Sequence, residues 1–310
     1  MNPKKANWLF LSTLGFEAVV MIALIFCADR WKIGILGSLT VSQLIILIPT
    51  LLFLLLTRTD PFALIQHNRL RVSTVFMIIG FSFLMMPLIL VVNMISLLFV
   101  ENTVTNMMQY VVNAPAFFSI LLIAVAGPAS EEIVFRGVLY HSYKKSGRFV
   151  GAMLLSAFLF GLTHMNFNQM SYAILVGIVC VLLVECTGSI FASMIFHMMI
   201  NLSNVIPVFL NPEAYEDTGK TLELELGRLG MTYQEYLYME IGIFGVIALI
   251  TTSLAICLLY AIARQEGRSG YVAALFHRKE GCERERLISM PLVLSVLICF
   301  GVMIYDIVKN

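Results

Sequence analysis

At 310 residues, with 59% hydrophobic and only 13% charged residues and a mean hydropathy of +0.90, the chain lies far from the roughly 25% charged content of soluble domains, which excludes a soluble enzyme. A net charge of +1, from 20 Lys and Arg against 19 Asp and Glu with no dense basic run, argues against a nucleic-acid partner. The apolar runs are apolar on every face rather than alternating over about 10 residues, which excludes a transmembrane barrel. The composition therefore predicts an all-α, polytopic transmembrane helix bundle.

In chain order the apolar segments fall at 8–28, 33–56, 72–100, 116–140, 149–164, 170–185, 188–209, 239–263 and 287–308. A crossing needs about 20 residues, so these make nine spans, or eight if a short one (149–164 or 170–185) is re-entrant. The first run follows Lys4 and Lys5, exceeds a signal-peptide core in length and precedes further spans, so it reads as a retained helix. With the N-terminus inside, the inner connections carry Lys4, Lys5, Arg58, Arg69, Arg71, Lys144, Lys145, Arg148, Arg264, Arg268, Arg278, Lys279, Arg284 and Arg286. The outer ones carry Arg30, Lys32, Lys220, Arg228 and Lys309. This asymmetry predicts a cytoplasmic N-terminus and, in a bacterium, residence in the plasma membrane. Residues 211–238 read as an acidic outer loop, including Asp217, with a short amphipathic helix around Leu222 to Leu229. Residues 264–286 read as a mixed-charge inner loop whose Tyr271 to Phe276 stretch lies at the lipid interface. With no repeat and no linker, 1–310 reads as one membrane domain. The six cysteines, Cys282 among them, form no C-x-x-C pair and read mostly as small apolar residues.

A charge at the centre of a membrane helix costs about 2.5–3.5 kcal/mol on insertion scales, so clustered charges need a reason. Glu131, Glu132 and Arg136 share the fourth segment, His164 ends the fifth and His197 lies mid-way along the seventh. At about 100° per residue, Glu132 and Arg136 share one face while Glu131 points elsewhere. Ser193, His197, Asn201 and Asn204 form one polar stripe, and Phe160 lies one turn before His164. A carboxylate and two imidazoles converging on a water-filled cavity suit peptide hydrolysis: the carboxylate takes a proton from water and an amide steadies the oxyanion. Two His and a Glu also suffice for a catalytic zinc with an open water position, and the residue types leave both routes open. Taken singly, Glu132 with Arg136 reads as a structural ion pair, and His164, His197 and Asn201 as interhelical hydrogen-bonding groups. Glu17, in the first segment, is expected to pair with a polar residue of a neighbouring helix. Gly147, Gly151, Ala157 and Gly161 are expected to let helices approach closely. The H-E-x-x-H, G-x-S-x-G, G-x-G-D and P-loop motifs are absent.

Glu131-Glu132-Ile133-Val134-Phe135-Arg136 reads as E-E-x-x-x-R, Phe160 to His164 as F-x-x-x-H, and His197 to Asn201 as H-x-x-x-N, in that order on three helices. Over about 116–205 the sequence resembles the CAAX-protease and bacteriocin-processing (Abi) family of intramembrane peptidases. The resemblance implies a general base at Glu131 with His164 beside it, and His197 and Asn201 lining the site and stabilising the oxyanion. Glu132 and Arg136 complete the motif. It implies a membrane-associated protein or peptide as substrate, and leaves open whether zinc at Glu131, His164 and His197 takes part. The alternatives are a non-catalytic bacteriocin self-immunity or scaffold protein and a proton-coupled transporter. The latter is disfavoured by the lack of related halves. Glu131 is expected in the inner half of its segment, whereas His164 is expected near the outer face. A helix break at Gly127-Pro128, or a late or tilted fifth helix, would bring them together.

Overall fold

The computed structural model describes residues 1–27, 33–216, 218–276 and 285–309. Arg30, Lys32, Asp217, Arg278, Lys279, Cys282 and Arg284 lie outside the described residues. In chain order the helices are α1 (Pro3–Cys27), α2 (Ile35–Leu56), α3 (Val72–Leu97), α4 (Thr103–Val111), α5 (Ala116–Lys144), α6 (Phe149–Leu162), α7 (Phe167–Thr187) and α8 (Ile190–Leu210). They continue with α9 (Glu213–Glu216), α10 (Thr218–Leu229), α11 (Tyr233–Gln265), α12 (Ser269–Leu275) and α13 (Met290–Lys309). No strand is present among the described residues. Eight of these helices (α1, α2, α3, α5, α7, α8, α11 and α13) are long and apolar enough to cross a bilayer. The protein is an all-α, multi-pass integral membrane protein. The amphipathic helix expected within 211–238 is α10, and the following span begins earlier than its hydropathy suggests. Its start is set at Thr232, whose hydroxyl accepts from Glu235 N–H (3.3 Å) while the Glu235 carboxylate accepts from Thr232 N–H (2.8 Å).

The ninth apolar segment, α6, has only 14 residues, about 21 Å of helix against a core of about 30 Å. It rises, turns within residues 163–166 and returns as α7, with which it packs closely. Met165 takes a left-handed backbone (φ 48°) in this turn, a conformation uncommon for a side-chain-bearing residue. Asn166 then caps α7 by accepting from Gln169 N–H (3.0 Å).

The other ends of these helices gather at one end of the bundle. Asn7 donates to Leu287 O (2.8 Å) and accepts from the Tyr143 hydroxyl (2.8 Å). Ile190 N–H donates to Gln66 O (2.8 Å) and Thr74 bonds Glu266. Buried Glu185 there accepts from Tyr140 (2.8 Å) and Lys144 (2.6 Å). Glu131 precedes Lys144 by thirteen residues and His164 follows Phe149 by fifteen, so both stand about 20 Å from that end. The depth conflict disappears because α6 is short.

Nor does α5 break at Gly127-Pro128. The helix runs on from Ala116 to Lys144, with two π-helical stretches, Leu121–Ala126 and Ile133–Tyr140, flanking Gly127–Glu132. Proline in a helix removes one donor and crowds the preceding turn. A wider π turn ahead of it relieves the crowding, and such turns recur at functional sites.

The core of the bundle lies where α5, α6, α7 and α8 meet, with Phe135, Phe160 and Phe196 fully enclosed. A Cβ on Gly177 of α7 would stand 2.8 Å from both Cα and Cβ of Ala157 and 3.1 Å from Arg136 Nη2. Gly161 is equally close to α7 (2.7 Å to Ile174) and Gly151 to Leu287 (2.9 Å). The packing expectation therefore holds for Gly151, Ala157 and Gly161. It fails for Gly147, which has a positive φ of 71° and open space around it, so it serves the turn rather than helix contact. Gly177→Val is expected to force α6 from α7 and lower stability by about 1–3 kcal/mol. Thermal unfolding in detergent tests this, with Gly177→Ala intermediate. Cys180, Cys186 and Cys299 are buried thiols, whereas Cys257 is exposed.

Candidate active site

Two adjacent carboxylates occupy opposite environments. Glu132 is fully buried; its Oε1 accepts from Arg136 Nη1 (2.9 Å) and from His197 Nδ1 (3.0 Å). Glu131, about 100° further round the helix, keeps 23% of its side chain exposed and faces a cavity of about 310 Å³. The ion pair expected from the i, i+4 spacing is thus present, and it extends to an imidazole on α8.

Both histidines take their tautomer from what lies behind them. Glu132, paired with Arg136, can only accept, so His197 carries a proton on Nδ1 and turns Nε2 toward Glu131, 3.7 Å away. His164 Nδ1 lies 3.0 Å from the Phe160 carbonyl, which also only accepts, so its Nε2 is left free. Phe160 stands between the rings, edge to face with His164 (5.1 Å) and His197 (5.5 Å), and also packs against the Arg136 guanidinium, 4.4 Å from the ring centre, and the Phe135 ring (5.2 Å). This packing fixes both imidazoles without using their Nε2 atoms.

Asn201 is held by the irregularity in α5. Gly127 N–H reaches back five residues to Leu122 O. The next bond in that register would run from Pro128 to Ile123 O, but proline has no N–H. Asn201 Nδ2 supplies the missing donor to Ile123 O (2.9 Å), and its carboxamide has a second N–H.

Glu131, His164, His197 and Asn201 all line the cavity, whereas Glu132 and Arg136 lie behind it. Ser42 and Gln43 of α2, and Gln169 and Tyr172 of α7, line it too. Sequence reasoning overlooks these four, whose only signal is polarity without charge inside apolar helices. The polar neighbour expected for Glu17 is not found: it has no hydrogen bond or ion pair among the described residues and lines a smaller chamber that also touches Glu131. Against the possibility of zinc, no group of three or more His, Cys, Asp or Glu among the described residues stands close enough to hold an ion. Each histidine keeps Nε2 free with Nδ1 bonded behind it, as metal-binding imidazoles commonly do, so the misfit lies in the spacing of the groups rather than in their committed nitrogens.

A buried ion pair thus holds an imidazole close to an open carboxylate within the helix bundle. Residues 113–203 match the Rce1-like family, described as type II CAAX prenyl endopeptidase Rce1-like. That segment, nearly the one covered by the three motifs, is similar to the CAAX-protease family of membrane peptidases. No curated protein and no solved structure matches the chain.

Proposed function

We propose that the protein is an intramembrane endopeptidase that hydrolyses a peptide bond of a membrane-associated protein or peptide with water activated by Glu131. The observation that carries this reading is the division between the two carboxylates: Glu132 is committed to Arg136 and His197, while Glu131 opens onto the cavity beside two free imidazole nitrogens. Water between Glu131 and His164 gives a proton to the Glu131 carboxylate as its oxygen attacks the carbonyl carbon. The oxyanion is met by the second N–H of Asn201, with His197 held beside it by Glu132 from behind. Protonated Glu131 then delivers its proton to the leaving amine as the C–N bond breaks. An apolar cavity of about 370 Å³ shares Met108, Tyr172, Ile200 and Asn204 with the site, which supports an extended, largely apolar substrate.

We read the end of the bundle bearing Lys144, Lys145, Arg148, Arg264 and Arg268 as cytoplasmic, on the basic-residue asymmetry.

The test compares peptide termini in source cells carrying the wild-type protein or Glu131→Gln at matched levels. Termini that vanish in the variant are expected and identify the substrate; identical termini across growth conditions would overturn the reading in favour of immunity or scaffolding. Because no step passes through a metal, cleavage by purified protein is expected to withstand a strong chelator. Loss of activity restored by one zinc per chain would replace this mechanism.

A further inference from the structure

Glu17 is an unexplained cost. It lies midway along α1, an otherwise apolar helix, where an unpaired charge is expensive, and it has no hydrogen bond or ion pair among the described residues. Around it is a chamber of about 130 Å³ between α1, α2, α5 and the end of α6. This chamber shares Ser42, Gln43, Glu131 and His164 with the larger cavity, so the two meet at the proposed catalytic groups.

The free hydrogen-bonding capacity of the chamber consists mostly of acceptors, the second N–H of Gln43 aside. The Thr13 and Thr163 hydroxyls donate to carbonyls of their own helices, Leu9 O (3.1 Å) and Phe160 O (2.7 Å), leaving their lone pairs. Gln43 Oε1 is buried with no partner, while its Nε2 is turned to the Ser42 hydroxyl (3.3 Å). The Glu17 carboxylate adds two oxygens, and no Lys or Arg among the described residues lines the chamber. A ligand that fits must bring several donors, and a positive charge would also offset the repulsion between Glu17 and Glu131.

We infer that this chamber is a substrate subsite in which Glu17 and Gln43 take the cationic side chain, Lys or Arg, of a residue next to the scissile bond. The inference rests on the peptidase reading and adds selectivity to it. The long apolar stem of either side chain suits the Ile45, Ile46 and Phe135 portion of the wall, and its head the acceptors.

The experiment uses the full-length protein in nanodiscs and a synthetic peptide library in which every residue type occurs on both sides of a central bond. Cleavage sites are read by mass spectrometry. Wild-type protein is expected to favour Lys or Arg at one position beside the cut, over Met, by roughly ten- to a hundredfold in kcat/KM, the worth of a hydrogen bond to a charged partner. Glu17→Gln, nearly the same shape, is expected to bring that ratio toward one, and Glu17→Lys to turn the preference toward Asp and Glu. Cleavage with no charge preference, or with the same preference in Glu17→Gln, overturns the subsite and leaves the peptidase reading standing. Absence of any cleavage by wild-type protein overturns both.

Discussion

Glu131→Gln is expected to reduce turnover by about 10²–10⁴-fold, the usual contribution of a positioned general base, while the protein stays inserted and its unfolding temperature hardly moves. The side chain is partly exposed to a cavity and His197 Nε2 stands 3.7 Å away, so little packing is lost when one oxygen becomes an amide. Glu132→Gln is expected to behave differently. It removes the charge that faces Arg136 inside the bundle, so stability and activity should fall together. The pair of variants separates the two carboxylates by a criterion that does not depend on the identity of the substrate. Full turnover in Glu131→Gln, or an undiminished unfolding temperature in Glu132→Gln with activity lost, would reverse the roles of the two carboxylates.

The parts of this site that are legible in sequence are those in which charge meets apolar surroundings. Glu131, Glu132, Arg136, His164 and His197 are conspicuous because a membrane helix tolerates few ionisable groups, and helical geometry alone separates Glu131 from Glu132. The spacing of His197 and Asn201 likewise predicts a shared face, and both line one cavity. Depth is only partly legible: the shortness of the 149–164 run marks it as a candidate re-entrant helix, but the turn at Met165 that returns it as α7 has no hydropathy signature. The π turns of α5 have no hydropathy signature at all. The first of them follows from the backbone demand of Pro128, met by an amide 73 residues later in the sequence. Gln43 escapes notice since an uncharged amide in α2 costs little in a hydropathy sum, whereas Glu17 is conspicuous but its surroundings are not legible, being set by α2, α5 and α6 rather than by its own helix.

Arg136→Met is expected to lower the unfolding free energy by about 3–5 kcal/mol, the typical result of removing one member of a buried ion pair. The guanidinium is 1% exposed and is held by Glu132 on one side and the face of Phe160 on the other. Met replaces the volume but leaves the buried Glu132 carboxylate without the guanidinium that neutralises it. The double variant Arg136→Met with Glu132→Gln removes both charges and retains an acceptor for His197 Nδ1, so it is expected to lose less than the two single variants together, with a coupling of about 1–3 kcal/mol. Arg136 Nε and Nη2 find no acceptor among the described residues, so the pair is incompletely satisfied, and a large recovery in the double variant is consistent with that. Activity should nevertheless stay low in the double variant, because the neutral amide that replaces the Glu132 carboxylate accepts more weakly from His197 Nδ1 and holds the ring less firmly. Titration with sodium dodecyl sulfate under reversible conditions measures the stabilities. Additive losses would show that Arg136 acts by filling space rather than by neutralising Glu132, and recovered activity in the double variant would show that His197 works without a charge behind it.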